Sequence, residues 1–281
     1  MASISENLRF WDSFDWPQHG EEWSKPFGNS ETEWWFLVMP RIHRWLPAKT
    51  ILEVGVGHGR WTEFLIGNCE QLTAVDLSPA CIEYCRQVFG EDERRRFLAN
   101  DGMSLPEVPD DSVDLIFSFD SLIHTEADAF ASYLLEFRRV LKPGGSGFIH
   151  HSNLGQYPGR VAVYDGIRRM TPAEWWQPGA TRITLPQRAL QVALSMSTAA
   201  WRAPSMSAAR FAEMAQAAAL TMVAQETINW GYGRCLIDCL STFRRGPAET
   251  GRALVGANRS FGRPQSDFLQ LADLYCLEDC R

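Results

Sequence analysis

Apolar residues in this chain fall into short unbroken runs, separated by stretches with helical spacing. Ile51, Leu52 and Val54 make the first run, residues 72–75 the second, 97–99 the third and 113–119 the fourth, the last interrupted only by Asp114 and Ser118. Short runs without alternation suit strands covered on both faces, as in a parallel sheet. Between them, apolar positions recur every three or four residues, which predicts helices over 60–66, 80–89 and 126–141. Ser78 and Pro79 have the residue types of an N-cap and a first helical position, and Thr125 with Asp128 has the spacing of a capping box. Lys142-Pro143-Gly144-Gly145 reads as a turn before a fifth strand at 147–151. Strand and helix alternate, which is the signature of the α/β class.

The flanks read differently. Residues 33–45 have a helical pattern and lead through Pro47 into the first strand. From 154 to about 204 no strand pattern is present; the stretch instead carries Tyr157, Tyr164, Trp175, Trp176 and Trp201 among six arginines. Ser207 then caps a helix through 219, strands follow at 220–229 and 235–243, and residues 230–234 suit a hairpin link. Residues 246–263 read as an exposed loop and 266–277 as a last helix.

With 281 residues and 45% hydrophobic content the chain can build one large α/β domain with insertions. A net charge of −7 argues against a duplex nucleic-acid partner, which calls for a basic face. The chain shows no apolar run of membrane-spanning length and no signal-peptide pattern, so the expectation is a cytoplasmic protein without a membrane partner. Cys81/Cys85, Cys235/Cys239 and Cys276/Cys280 are spaced more loosely than the knuckles of structural zinc sites, and they read as free thiols.

Candidate chemistry gathers where the predicted strands end. Gly55, Gly57 and Gly59 alternate with Val56 and His58 directly after the first strand, with Glu53 two residues upstream of Gly55. A glycine-rich turn between strand and helix lets a ligand approach the backbone and offers it free N–H groups. The second strand ends in Asp76-Leu77, the third runs into Asn100-Asp101-Gly102, and the fourth ends in Phe119-Asp120. The G-x-G-x-G spacing with its upstream acid, the acids at successive strand ends and the RVLKPGG segment at 139–145 together resemble the class I S-adenosylmethionine (SAM) dependent methyltransferases over about residues 50–153. The G-x-G-x-x-G of nicotinamide oxidoreductases fits less well.

That resemblance implies a Rossmann-like, doubly wound sheet of seven strands, mostly parallel, closed by an antiparallel C-terminal hairpin. It divides the chain into a Trp-rich arm or lid (1–48), a SAM-binding core (49–153), a substrate-cap insertion (154–204) and the C-terminal part of the core (205–281). SAM, leaving as S-adenosylhomocysteine, would be held by Glu53, Gly55, Gly57, Gly59, Asp76, Leu77, Asp101, Gly102 and Phe119. In this pattern Asp76 takes the ribose diol and Asp101 the adenine amino group, and Trp34 and Trp35 are the arm's candidates for closing over the cofactor. Methyl transfer to an alcohol needs a base near neutral pH, and His124, His150 and His151 stand at strand ends with Asp120 as orienting group or alternative base. Strand geometry sends His150 and His151 to opposite faces. Asp120, His124 and His151 could instead hold a divalent cation, but no carboxylate cluster completes an oxygen shell, and no metal is assigned. The expected acceptor is a small molecule, with a hydroxyl of a sugar or glycosylated natural product ahead of an amine. A SAM-binding regulator without chemistry is the alternative from another class.

Overall fold

The computed structural model describes residues 3–170, 202–230, 235–247 and 253–275. Among them, eight strands form one sheet: β1 Ala48–Val54, β2 Cys69–Asp76, β3 Arg95–Ala99, β4 Val113–Ser118, β5 Leu141–Ser152, β6 Thr221–Ile228, β7 Asp238–Arg244 and β8 Leu254–Asn258. Their order is β3-β2-β1-β4-β5-β7-β6-β8. Strands β1 to β5 pair in parallel, β7 runs antiparallel to both β5 and β6, and β8 is parallel to β6.

The expected seven strands are eight. Residues 254–258, read as loop, pair with β6 from Ala224↔Leu254 to Ile228↔Asn258. Leu254 and Val255 are 69% and 76% exposed, so this edge strand has no buried face to mark it in the pattern. A second difference lies at 142–145. The register passes from Val113↔Leu141 to Leu115↔Ser146, so the glycine pair bulges out of a continuous β5 and does not precede it.

Both faces of the sheet are covered. Helices α1 Ile4–Asp12, α2 Thr62–Ile66, α3 Pro79–Phe89, α4 Ala127–Val140, α5 Pro158–Met170, α6 Ala208–Ala217 and α7 Arg263–Tyr275 supply the longer helical segments. Alternation along the strands divides the core: Leu52 and Ile116 face Phe137 and Phe211 of α4 and α6, while Ile51 and Leu115 face Trp34, Leu37 and Trp61. The helix expected over 33–45 is broken. Pro40 has no N–H to donate to the turn before it, and the chain widens into a π-type turn over Trp34–Val38 before Met39–Ile42.

Two caps illustrate local and distant solutions to one problem. Ser78 caps α3 as its sequence suggests, accepting from the N–H of Cys81 at 3.2 Å. The capping box expected for α4 does not form. The N–H of Ala127 donates to Ser205 Oγ at 2.9 Å, from 78 residues away, and that hydroxyl in turn meets Glu126. Among the described residues, no helix is long and apolar enough to cross a membrane, and no group of three His, Cys, Asp or Glu side chains could hold a metal ion.

Candidate active site

Parallel strands deliver their C-terminal ends to one rim, and a cavity of about 710 Å³ opens there. The glycine turn that follows β1 forms its floor. Gly55 and Gly59 have φ of +79° and +81°, a region costly for other residues. A Cβ on Gly55 would lie 1.8 Å from Ser121 Oγ, so the turn after β4 packs directly on the glycine turn. The N–H of Gly57 donates to Asp76 Oδ2 at 2.8 Å, and Asp76 Oδ1 accepts from the N–H of Ser78 at 2.8 Å. Burial raises the Asp76 carboxyl above its ordinary value, with these N–H groups working the other way.

Of the residues expected around a cofactor, Gly55, Gly57, Asp76, Leu77, Gly102 and Phe119 line the cavity. Four do not. Gly59 packs beneath Phe89 of α3. Glu53 lies under the turn, accepts from Thr62 Oγ1 at 2.7 Å, and is pushed by burial up to about 8. Asp101 closes its own turn: Oδ1 accepts from the N–H groups of Met103 and Ser104 at 2.9 and 2.6 Å, and Oδ2 from Ser104 Oγ at 2.9 Å. Trp34 is a core residue, its ring 5.1 Å from Phe64 and 6.3 Å from Trp61. The arm rings that reach the cavity are Trp11, Trp16 and Trp23. Trp16 stacks on His58 of the glycine turn at 4.6 Å, and Tyr84 covers the other side of that imidazole at 3.8 Å.

The three candidate histidines separate cleanly. His124 lines the cavity in the turn Leu122–His124, with the ring of Trp11 at 5.3 Å and its carbonyl accepting from Asn7 Nδ2 at 3.4 Å. His151 is buried on the far face, stacked on Phe211 at 4.4 Å, with Ser241 Oγ and the Ser152 carbonyl on its two nitrogens. Burial holds its pKa down to about 4. His150 is buried behind the wall, where Nδ1 accepts the N–H of Asp120 at 3.2 Å. The opposite orientation of the pair is as strand geometry requires; neither lines the cavity.

Several wall residues have no motif to announce them. Arg60, directly after the glycine turn, donates to Asp120 Oδ2 at 2.9 Å and to Ser24 Oγ at 3.1 Å. Arg202 grips buried Asp238, Nε to Oδ1 at 2.9 Å and Nη2 to Oδ2 at 2.8 Å. Both guanidiniums on this part of the wall are thus held by carboxylates. Glu22 and Glu126 each keep one buried carboxylate oxygen without a hydrogen-bond partner. Trp230 completes the wall.

The topology and the glycine turn at its rim define a Rossmann-like methyltransferase fold. Residues 51–145 match the family model described as a methyltransferase domain, and the fold around them is that of the class I SAM-dependent methyltransferases. SAM is the cofactor of that class. The chain is similar to a Mycobacterium ulcerans (strain Agy99) protein named for methylation of phthiotriol and phenolphthiotriol dimycocerosates, 37% identical over 109 residues, 36% of this chain and 38% of that one. It is 27% identical over 144 residues to phosphoethanolamine N-methyltransferase 1 of Triticum aestivum, 50% of this chain and 28% of that one. The chain thus spans well under half the length of both relatives. Further matches include O-methyltransferases. In fold it resembles the N-methyltransferase NodS of Bradyrhizobium japonicum WM9, solved with S-adenosylhomocysteine, with a TM-score of 0.52 at 16% identity over 86% of this chain and 97% of that one.

Proposed function

We propose that this protein transfers a methyl group from SAM to a hydroxyl of a small molecule, a sugar or glycosylated metabolite, with His124 as general base. The residues present fit the cofactor. Asp76 offers a half-buried carboxylate to a diol, the glycine turn presents backbone without Cβ atoms at the cavity, and Leu77 and Phe119 give apolar faces. When bound, SAM supplies a methyl group already activated on a sulfonium sulfur. The chain's own work is to bind, align and exclude water, and to take the proton of the attacking hydroxyl on the His124 ring. Trp11, packed beside His124, keeps solvent from that ring.

The observation that carries this reading is the placing of His124 on the cavity wall while His150 and His151 lie behind it. Glu22 and Glu126, with unpartnered oxygens, suit an acceptor that donates hydrogen bonds, whereas an anionic acceptor would find both cations engaged. The same carboxylates and the rings of Trp23 and Trp230 suit an ammonium, so N-methylation of an amino sugar is the second reading. Transfer from labelled SAM to paired panels of sugars and amino sugars tests both. His124→Ala should lower turnover of an alcohol by roughly 10²–10⁴-fold while S-adenosylhomocysteine binds normally, and His151→Ala should not. Near-parental turnover in the His124→Ala protein would remove the base from the mechanism. Binding with no transfer to any acceptor would favour a regulator.

A further inference from the structure

We propose that His150, braced by Asp238 and Arg202, is a positioning residue that holds the Asp120 turn in the shape the cavity wall requires. The inference rests on the cavity being the cofactor site. Asp120 has φ +58°, a left-handed conformation that a residue with a Cβ adopts only at a cost. Its N–H donates to His150 Nδ1 at 3.2 Å. A backbone N–H can only donate, so Nδ1 is unprotonated and the ring hydrogen sits on Nε2. That nitrogen faces Asp238 Oδ2 at 3.6 Å, an electrostatic contact longer than a hydrogen bond, and both side chains are fully buried. Asp238 is fixed in turn by the fork of Arg202, and the imidazole packs against the rings of Phe119 and Trp230, with centroids at 4.9 and 5.1 Å.

The consequences fall on residues that do line the cavity. With Asp120 so held, its carboxylate meets Arg60 at 2.9 Å, and Ser121 occupies the space beside Gly55 that no side chain there could share. A shift of the turn therefore moves Ser121 against the glycine turn. His150 and Asp238 never reach the cavity; they act through Asp120 and Ser121.

The test uses S-adenosylhomocysteine binding by calorimetry and hydrogen exchange of the Asp120 amide. His150→Asn keeps an acceptor near the position of Nδ1, whereas His150→Gln reaches toward that of Nε2. The asparagine protein should bind within about twofold of the parent and the glutamine protein about tenfold more weakly, the scale of a left-handed residue losing its support. The Asp120 amide should exchange faster in the glutamine protein than in the asparagine protein or the parent. In an Asp120→Gly background the two should become equal, because glycine adopts this φ unaided. Asp238→Asn, which loosens the brace without touching the bond to Asp120, should also speed that exchange. Equal binding by the two His150 variants, or a difference that survives in full in the Asp120→Gly background, overturns the proposal. If the parent protein fails to bind S-adenosylhomocysteine, the cofactor reading falls, while amide exchange still judges the positioning role.

Discussion

Over β1, β2 and β3 the cavity is walled by Gly55, Gly57, Asp76, Leu77 and Gly102, each within a few residues of a strand end. Over β4, β5 and β7 it is walled by Glu22 and Trp23 from the arm, His124 from a short turn, Arg202 from before α6 and Trp230 from after β6. The first side is made largely of backbone, the second of side chains drawn from across the chain. A side built of backbone is constrained by sterics, and one built of side chains by charge and shape. The two should therefore respond to different injuries.

The largest effect is expected on the backbone side. Gly55→Val would put a branched side chain where Ser121 already sits, at a positive φ. Overpacking and strain together on the order of 3 kcal/mol should weaken S-adenosylhomocysteine binding by roughly 100-fold or more in calorimetry. Asp76→Ala should cost less, about 1–3 kcal/mol for lost hydrogen bonds to a charged group. If either variant binds like the parent while remaining folded, the cofactor does not lie on this side.

The same contrast governs what is legible in the sequence. On the backbone side each wall residue adjoins the end of its own strand, so the glycine turn, Asp76 and Gly102 can be read directly. Asp101 shows the limit: an acid that closes its own turn is spelled like one that meets a ligand. Trp34 stands nearer the glycine turn in sequence than Trp11, Trp16 and Trp23, yet those three line the cavity and Trp34 does not. Proximity along the chain is no guide to proximity in space. Between His124, His150 and His151 nothing local decides, since His150 is claimed by Asp120 and His151 by Ser241 and Phe211. Strand β8 escapes the pattern because its side chains bury no face.

Each side also hides a neutral acid. Glu53 under the glycine turn and Glu33 behind Arg60 are both pushed by burial up to about 8. Each is therefore protonated when folded and ionised when unfolded at neutral pH. The folded state holds the extra protons, so this stabilisation is complete below the ordinary carboxylate range and is lost as pH rises through about 8. The melting temperature should fall by several degrees between about pH 6 and about pH 9. Glu53→Gln and Glu33→Gln should each remove part of that slope, since glutamine keeps an acceptor for Thr62 or Ser24 and cannot ionise. A flat parent profile, or one unchanged in both variants, would contradict the assignment.

The smallest effect concerns α1, which touches both sides. At its C-terminal end Asp12 Oδ1 accepts from Ser78 Oγ at 2.8 Å and from the N–H of Ala80 at 3.2 Å, so α1 is tied to the start of α3 beside Asp76. Earlier in the same helix, Asn7 and Trp11 sit on His124. Ile4 packs at Gly102, where a Cβ would come within 3.2 Å of its methyl group. If α1 closes over a bound ligand, these contacts must part before it leaves. Asp12→Ala removes two hydrogen bonds of the kind that cap helices, about 0.5–2 kcal/mol, and should speed S-adenosylhomocysteine release a few-fold to tenfold in stopped-flow tryptophan fluorescence. Because Ser78 still caps α3, the melting temperature should change little. Trp11→Ala should instead disturb the His124 side and leave release from the Asp76 side less affected. An unchanged release rate in the Asp12→Ala protein would mean that α1 is a fixed wall of the cavity and that ligands come and go by another opening.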